Sequence, residues 1–396
     1  MSMATVLYDL TPLDTPSRYR GFGRYVRELA LGLSRLPAHD RQGLRILGLT
    51  KLAWTGRFEV TEELGSFAGS AERPQPSDAD HYREAYKRRA LLWQVARSVG
   101  ADLVHLGDPH ATPMGRALTR CKFLVTCHDL IPLRYPQHYF TWRDGFGVVG
   151  KLLEWRRYSS ADHVVAISDA TRDDLVRFFG MHTSRITRVY NSVDLERWSR
   201  AMSEQDREAR LRRLGLNAKR FVLYVGDADW RKNVEGMTGG LAHARRAGAD
   251  VELIIAGGLS PARARRVDDL ARGHGVEAHV HRVGHLDDDD LLAMYRSAVA
   301  HLFVSRAEGF GLPVVESMAC GCPVITTRQT SLGEVAGNAA VLVDPEDHVG
   351  IGEAIAALAS DPGLQARTIA RGREQAKLFS HERQAREMVA LYRRLT

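Results

Sequence analysis

The stretch SRAEGFGLPVVESMACGCPVITT, residues 305–327, combines a turn, the start of a helix and the beginning of another strand. It follows the apolar run at residues 301–304, whose composition predicts a buried strand. Gly309 and Gly311 allow the backbone to approach closely in the turn, and Pro313 suits the first turn of a helix. The stretch therefore predicts one strand, turn and helix unit of a parallel α/β sheet.

Two carboxylates lie on either side of this turn. Glu308 follows the strand, and Glu316 lies about one turn inside the helix, near the N–H groups that a helix start leaves unpaired. A ligand here would meet N–H donors for a phosphate and carboxylate acceptors for hydroxyls. Two glutamates in a glycine-containing stretch are also common in a solvated loop, so the spacing by itself leaves both interpretations open.

Short β-branched runs alternate with amphipathic helical patterns along the whole chain. The predicted strands are residues 5–8, 44–49, 103–106, 123–127, 163–167 and 186–190, and then 221–225, 251–256, 280–283, 301–304, 324–326 and 340–343. This alternation predicts an α/β fold with doubly wound parallel sheets covered by helices on both faces. Ligands of such sheets bind beyond the carboxyl ends of the strands.

The chain of 396 residues is long enough for two domains of ordinary size. The charged stretch at residues 196–213 has a sparse apolar pattern and is predicted to join them, with the change near Trp198. The predicted domains are residues 1–197 and 198–379, followed by a last helix at 380–396 with Ser380 as its N-cap. Two doubly wound domains joined in this way predict a ligand cleft between them.

The composition indicates an anionic binding partner but does not identify which one. The net charge of +7 and the isoelectric point near 9.3 favour a nucleotide diphosphate, an acidic membrane surface or nucleic acid. The four cysteines match neither a disulfide framework nor a zinc pattern, which suggests a reducing cytosol. No membrane span or signal peptide is recognisable, so we expect a cytoplasmic protein.

The segments beginning at Glu308 and Glu316 resemble the paired-glutamate motif of the retaining glycosyltransferase family 4. The resemblance implies the GT-B fold, in which two Rossmann-like domains face a cleft and the last helix returns to the first domain. It also implies an acceptor-side first domain and a second domain that binds the nucleotide-sugar. In the family the segment Glu308, Gly309, Phe310, Gly311 and Leu312, together with Glu316, binds the donor.

Arg231 and Lys232 follow the predicted strand 221–225, where a helix begins. A guanidinium and an ammonium at this position would hold a diphosphate and offset the charge that develops on it. A solvated cation pair is the alternative that the residue types leave open. The segment resembles the family's phosphate-gripping segment, which implies that both cations bind the donor and assist catalysis.

Two further segments in the first half resemble family motifs. Gly21 and Gly23, in the segment from Arg20 to Tyr25, resemble the glycine loop at which the backbone approaches the donor phosphate and the acceptor. His128 resembles the family's histidine that contacts the donor sugar, with a structural histidine at a strand end as the alternative. Ser168 or Asp169 is predicted to cap the next helix.

The resemblance implies front-face displacement with retention, in which the leaving diphosphate helps to accept the proton of the acceptor hydroxyl. Glu316 would bind the ribose, Glu308 the hydroxyls of the sugar, and His128 the same sugar. Asp227 and Asp229 have the form of a metal-binding acid pair, but the neighbouring cations already provide positive charge. The acidic run at residues 287–290 is predicted to be a solvated helix start. We therefore expect no metal and no cofactor, because the nucleotide-sugar is a substrate.

The resemblance extends to O-antigen mannosyltransferases, which implies transfer of a hexose from GDP-mannose, as the first candidate, to a saccharide or lipid-linked acceptor. The alternative is a non-catalytic scaffold that binds a nucleotide-sugar. Nucleic acid is not expected as a partner, because no recognised module is present. Basic and aromatic residues at 82–93 and 142–157 suit peripheral contact with a membrane or a packed helix with a solvated face. Residues 55–80 are predicted to form a mobile loop.

Overall fold

The computed structural model describes residues 3–15, 18, 21–52, 57–69, 91–113, 121–139, 147–216 and 220–396. The chain divides into two compact units. The first contains Met1–Ser192 and Ser380–Thr396, and the second contains Val193–Phe379. Each unit is built around one mostly or wholly parallel sheet with helices packed against it.

The strands and helices of both units follow one another in regular alternation. The strands are β1 (Ala4–Asp9), β2 (Leu44–Leu52), β3 (Phe58–Thr61), β4 (Leu103–Leu106), β5 (Lys122–Cys127), β6 (His163–Ala166), β7 (Ile186–Arg188), β8 (Phe221–Val225), β9 (Glu252–Ala256), β10 (Val280–Gly284), β11 (Ala300–Phe303), β12 (Val324–Thr327) and β13 (Val341–Val343).

The α-helices with defined bounds are α1 (Gly21–Arg35), α2 (Ile131–Arg134), α3 (Pro136–Tyr139), α4 (Gly147–Ser159), α5 (Asp169–Phe179), α6 (Leu195–Ser199), α7 (Glu204–Arg213), α8 (Val234–Arg246), α9 (Pro261–Gly273), α10 (Asp288–Ser297), α11 (Leu312–Cys320), α12 (Thr330–Ala336), α13 (His348–Ser360), α14 (Pro362–Ala376) and α15 (His381–Leu395). Residues 91–99 are helical as well.

The sheet of the first unit has the strand order β3-β2-β1-β4-β5-β6-β7. All neighbouring strands are parallel except β2 and β3, which pair antiparallel. The chain moves outward from β1 to β3, returns to β4 beside β1, and then moves outward on the other side. The topological switch point of this sheet therefore lies at the carboxyl ends of β1 and β4. The central strands are buried on both faces, as expected for a parallel sheet with helical layers.

The last helix completes the first unit. Ser380 accepts a hydrogen bond from the Arg383 N–H and caps α15, as its sequence predicts. The apolar face of α15 packs against α1, and the close approach is visible at Gly32, where an added Cβ would lie 2.8 Å from the carbonyl oxygen of His381. The segment after residue 379 therefore belongs to the first unit.

The sheet of the second unit has the strand order β10-β9-β8-β11-β12-β13, and all of its strands are parallel. The chain moves outward from β8 to β10, returns to β11 beside β8, and then moves outward on the other side. The switch point of this sheet therefore lies between β8 and β11. The loops that carry the predicted donor-binding residues follow these two strands.

The predicted α/β fold class is confirmed, and each of the twelve predicted strands is present. The predicted mobile loop at 55–80 is wrong in part, because residues 58–61 form the edge strand β3. Antiparallel pairing with β2 satisfies the backbone groups of a segment whose side chains are mostly exposed. The rest of that loop at 55–56 and 70–80, and residues 82–90 and 142–146 of the basic segments, lie outside the described residues.

The charged stretch at residues 196–213 is helical and packs within the second unit. Its arginines form ion pairs with the acidic run that precedes and begins α10; the pairs are Arg197–Asp288, Arg200–Asp289, Arg210–Asp290 and Arg213–Asp290. Asp287 caps α10 by accepting from the Asp290 N–H. The predicted helix start is present, but the prediction that the acidic run is solvated is wrong in part, because Asp290 is buried and is paired with arginines more than seventy residues earlier in the chain.

Among the described residues, no helix has the length and apolar character needed to cross a bilayer.

Candidate active site

The second unit brings two distant segments together at its switch point. The loop after β8 carries Arg231 and Lys232, and the turn after β11 carries Glu308, 76 residues after Lys232. Lys232 Nζ donates a hydrogen bond of 2.6 Å to Glu308 Oε1. Arg231 Nη1 lies 3.9 Å from Glu308 Oε2. The two cations therefore share one carboxylate.

The carboxylate of Glu308 is ionised at neutral pH. Burial by itself would raise its pKa, but the charges of Lys232 and Arg231 hold the pKa below the usual value for a glutamate. The side chains of Glu308 and Lys232 are 9% and 13% exposed. The ion pair is thus largely buried. Removal of one partner would leave an uncompensated charge in this buried site. The Lys232 ammonium also lies 5.3 Å from the ring centroid of Phe303.

Asn233 fixes the loop that carries the cations. Its backbone has a left-handed conformation, with φ of 59°, and its side chain caps α8 by accepting from the Gly236 N–H at 3.1 Å. The side-chain amide donates to the carbonyl oxygens of Val304 at 3.0 Å and Pro345 at 2.7 Å. One side chain therefore links the loop after β8 to the ends of β11 and β13.

Arg306 adds a second connection to the same loop. Its backbone N–H donates to the carbonyl of Arg231 at 2.7 Å, and its guanidinium donates to the carbonyl of Trp230 at 3.1 Å. The guanidinium also pairs with Glu346. No role was predicted for Asn233 or Arg306, although an Asn directly after two cations at a helix start indicates a left-handed cap.

The turn at Glu308 is anchored by the start of α12. The hydroxyl of Ser331 bonds to the backbone carbonyls of Glu308 and Phe310, at 2.9 and 3.1 Å. Gly311 has φ of 102°, and an added Cβ would lie 2.5 Å from a methyl group of Leu332. A glycine is therefore required where the turn enters α11.

The other predicted donor-binding residues of this segment are buried. Pro313 occupies the first turn of α11, as predicted, and Glu316 lies farther along the same helix with 1% of its surface exposed. Phe310 packs edge to face on Phe379, with ring centroids 5.5 Å apart, and the side chain of Leu312 is also buried. Phe310 and Leu312 therefore shape the turn by core packing.

The acidic pair Asp227 and Asp229 lies in the loop before the cations and is bound to Arg263. The guanidinium of Arg263 pairs with Asp227 and lies 3.5 Å from a carboxylate oxygen of Asp229. Asp229 also accepts from the backbone N–H of Arg231 at 3.2 Å. Within the part of the chain that the structure describes, no group of three His, Cys, Asp or Glu side chains could hold a metal ion.

His128 lies in the first unit, at the carboxyl end of β5. Its Nε2 donates to the carbonyl oxygen of Gly107 at 2.7 Å, so the lone pair of the neutral ring is on Nδ1. Burial lowers the pKa of His128, and the bond to Gly107 opposes that change. The ring is packed by the edge of Tyr25, with centroids 5.1 Å apart, and by Phe22.

The glycine loop opens α1, as predicted for its position after β1. Gly21 is the first residue of the helix, and Gly23 is buried within its first turn. Arg20 lies outside the described residues. The structure therefore describes Gly21, Gly23 and His128 in the first unit and the cation pair, Glu308 and Glu316 in the second. The roles predicted for these residues stay predictions.

The sequence prediction did not include a second histidine beside the switch point of the first sheet. Asp108, whose side chain is 3% exposed, accepts from both the backbone N–H and Nδ1 of His110, at 2.9 and 2.8 Å. A buried carboxylate in contact with a histidine two residues later is visible in the sequence as Asp-Pro-His. The same spacing is common in simple turns, so it carried no prediction.

Two family models match most of the chain. Residues 19–197 match the model for Glycosyltransferase Family 4, and residues 206–375 match the model for Glycosyl transferases group 1. The first matched region ends shortly after the division between Ser192 and Val193, and the second lies wholly within the second compact unit.

Relatives with curated descriptions include two mannosyltransferases of Escherichia coli. The O-antigen chain mannosyltransferase B is 28% identical over 328 residues, which cover 82% of each chain. The serotype-specific mannosyltransferase WbdA is 25% identical over 366 residues, which cover 86% of this chain and 42% of WbdA. The chain therefore spans less than half the length of that second relative.

Similar solved structures share the fold over nearly the full chain. A sucrose-phosphate synthase from Thermosynechococcus elongatus has a TM-score of 0.75 at 23% identity, and the alignment covers 99% of each chain. Anabaena HepE in complex with UDP-glucose has a TM-score of 0.70 at 16% identity, with 99% of this chain and all of that one covered. The solved structures show that the chain has the GT-B fold, and the two family models show that it belongs to the glycosyltransferases of the family 4 and group 1 type.

Proposed function

We propose that the protein is a retaining glycosyltransferase that transfers a hexose from a nucleotide-sugar to a saccharide or lipid-linked acceptor. The observation that carries the proposal is the convergence of Arg231, Lys232 and Glu308 beyond the carboxyl ends of β8 and β11. Doubly wound sheets bind nucleotides at this location. Membership of the family supports the same activity.

The cations of the second unit are proposed to bind the diphosphate of the donor. Asn233 and Arg306 hold their loop in place before a ligand arrives, so little ordering is required on binding. Positive charge fixed beside the leaving diphosphate stabilises the negative charge that develops as the glycosidic bond breaks. Glu308 is proposed to bind hydroxyls of the sugar, and Glu316 those of the ribose.

Front-face displacement needs no protein nucleophile. The acceptor oxygen forms the new bond to the anomeric carbon, while the electron pair of the broken bond stays on the diphosphate oxygen. That oxygen helps to accept the acceptor proton. His128 is proposed to contact the sugar through Nδ1, because Nε2 is committed to Gly107. Gly21 and Gly23 are proposed to let the backbone approach the donor phosphate and the acceptor.

We also propose that transfer requires neither a metal ion nor another cofactor. The pairing of Asp227 and Asp229 with Arg263 supports this, because a metal would have to displace a guanidinium. Activity retained after dialysis against a chelator is the expected result. Activity that disappears and returns on addition of Mg²⁺ or Mn²⁺ would contradict it.

A thermal-shift panel identifies the donor. UDP, GDP, ADP and dTDP sugars are added separately, and the cognate donor is expected to raise the melting temperature most, because it stabilises only the folded state. GDP-mannose is the first candidate, supported by the mannosyltransferase relatives. An assay for release of the nucleoside diphosphate then separates an enzyme from a scaffold that only binds the donor.

The cation pair provides the direct test of the diphosphate site. Replacement Lys232→Met keeps most of the unbranched side chain and removes its charged end, and we expect turnover to fall by about 10²–10³-fold. The matched control is Lys377→Met, which breaks the exposed pair with Glu374 and leaves activity unchanged. Full turnover in the Lys232 variant would exclude the proposed site.

We propose a peripheral contact between the first unit and an anionic membrane, which would bring a lipid-linked acceptor close. Helix α4 exposes Leu152 and Trp155, which are three residues apart and therefore on one face, and Arg156 is exposed beside them. The basic net charge of the chain complements an anionic surface.

Sedimentation with lipid vesicles tests this contact. Binding is expected with vesicles that contain phosphatidylglycerol and to be weakened by the double replacement Leu152→Ser and Trp155→Ser. Val176→Ser, which alters another exposed apolar side chain of the same unit, is the control. Equal binding of both variants, or none by the original protein, would contradict the membrane contact.

A further inference from the structure

Glu308 forms ion pairs with the two cations that are proposed to bind the diphosphate. Its carboxylate accepts from the Lys232 ammonium at 2.6 Å and lies 3.9 Å from the Arg231 guanidinium. Both members of the Lys232–Glu308 pair are largely buried, so water screens their charges poorly. A phosphate that binds Lys232 must therefore approach an ionised carboxylate at close range.

We propose that Glu308 distinguishes the intact sugar donor from the free diphosphate product and weakens the binding of the product. The inference rests on the proposed function and adds to the sugar-binding role of the same residue. It concerns the specificity of the site for two ligands that contain the same nucleotide.

The two ligands differ in what they place beside Glu308. In the donor, uncharged sugar hydroxyls donate hydrogen bonds to the carboxylate, and the sugar also separates the carboxylate from bulk water. After transfer the glycosidic bond is broken and its electron pair stays on the terminal phosphate. The acceptor proton passes to that phosphate or to water, and near pH 7 most of the terminal phosphate is doubly ionised, because its last pKa is about 6.

The product therefore gains negative charge at the moment that the sugar hydroxyls leave the carboxylate. Attraction between Glu308 and the ligand is replaced by repulsion between like charges in a poorly screened site. The neighbouring acids have other partners. Asp227 and Asp229 pair with Arg263, Asp229 also lies 3.7 Å from the Arg231 guanidinium, and Glu346 pairs with Arg306. Glu308 is the carboxylate that shares Lys232 with the ligand.

Calorimetric titration measures this discrimination. The original protein and Glu308→Gln are each titrated with GDP and GDP-mannose, UDP and UDP-glucose, and ADP and ADP-glucose. For the nucleotide that binds, the dissociation constant of the diphosphate divided by that of its sugar donor is expected to fall about tenfold in the glutamine variant, which corresponds to about 1.4 kcal/mol. The dissociation constant of the diphosphate itself is expected to fall. An unchanged or increased ratio overturns the inference, and so does a fall in the ratio that comes only from weaker binding of the donor.

Three further variants separate charge from packing and from global effects. Glu308→Asp keeps the charge and is expected to keep most of the original ratio; a ratio as low as that of the glutamine variant overturns the inference. Glu374→Gln makes the same charge change in the exposed pair with Lys377, and an equal fall in its ratio also overturns the inference. Glu308→Ala is the second neutral variant if the glutamine variant loses its cooperative unfolding transition.

The proposed function and this inference fail in different ways. If the original protein binds none of these nucleotides, both are overturned. A second outcome overturns only the role of Glu308 in product release. In that outcome the original protein binds a diphosphate and Lys232→Met weakens this binding. Glu308→Gln, however, does not tighten binding of the diphosphate relative to binding of the donor.

Discussion

At the scale of residues, single side chains determine the positions of Arg231 and Lys232 in the second unit. Arg231, Lys232 and Glu308 were each predicted from the sequence as donor-binding candidates, and the structure places these three side chains together. Their pairing was not predicted, because it depends on two loops that are 76 residues apart. The same applies to Asn233, whose side-chain amide donates two hydrogen bonds to carbonyls that follow β11 and β13.

Asn233→Asp tests the contribution of that amide. The replacement keeps the shape of the side chain but sets a carboxylate oxygen against the carbonyls of Val304 and Pro345, so both lose a donor. We expect the free energy of unfolding to fall by about 2–4 kcal/mol, measured by chemical denaturation. Asn338→Asp, the same change at an exposed residue, is the control. A stability equal to that of the control would contradict this account of Asn233.

At the scale of elements, the alternation of strands and helices is strongly encoded in the sequence. The strands are apolar runs of three to nine residues that are bounded by turns, and this pattern identified all but β3. That strand lies at the edge of its sheet and has only four residues, of which Phe58 and Val60 are apolar, so its pattern is too short to be recognised within a polar stretch. The helix starts at Ser168 and Ser380 were recognisable because a short polar side chain caps each one.

The ends of the strands in the second unit depend on glycine. Gly226, Gly257 and Gly284 follow or end β8, β9 and β10, and all three have positive φ. Gly226 and Gly257 approach so closely that a Cβ on Gly257 would lie 2.1 Å from the carbonyl oxygen of Gly226. The backbone oxygen belongs to the loop that continues to Arg231, so a change here would also displace the cations.

Gly257→Ala is therefore expected to be strongly destabilising. Its φ of 150° and the contact with the Gly226 oxygen both oppose a side chain, and we expect a loss of about 2–4 kcal/mol and a melting temperature lower by several degrees. Gly258→Ala is the matched control, since nothing lies within 4 Å of its added Cβ. Equal melting temperatures for the two variants would show that the close approach is unimportant.

At the scale of the whole molecule, α1 and α15 come from opposite parts of the sequence and pack together within the first unit. His381 Nε2 donates to Glu28 Oε2 at 2.5 Å, although 353 residues separate them. Both side chains are less than a tenth exposed, and they connect α15 to α1. Burial by itself would raise the pKa of Glu28, but the hydrogen bond from His381 and the charges of Arg27 and Arg24 lower it to about 2.

This pair predicts a defined dependence of stability on pH. A carboxyl group whose pKa is about 2 when folded and about 4.5 when unfolded stabilises the folded state above pH 4.5, and the effect is lost as the pH falls towards 2. The difference corresponds to about 3 kcal/mol. Glu28→Gln is expected to flatten the denaturation free energy between pH 5 and 2.5, whereas the exposed control Glu382→Gln leaves it steep. A steep profile in both variants would contradict the assignment.

The sequence by itself determined the fold class, the order of the strands along the chain, the helix caps and the identity of the candidate donor-binding residues. These properties depend on local patterns of polarity, turn residues and motifs, which need no knowledge of distant segments. Only the tertiary structure decided that Glu308 pairs with Lys232, that arginines of α7 neutralise the acids at α10, and that α1 is the helix of the first unit on which the last helix packs. Each of these contacts joins residues far apart in sequence, and their burial and charge set the energies on which the proposed chemistry depends.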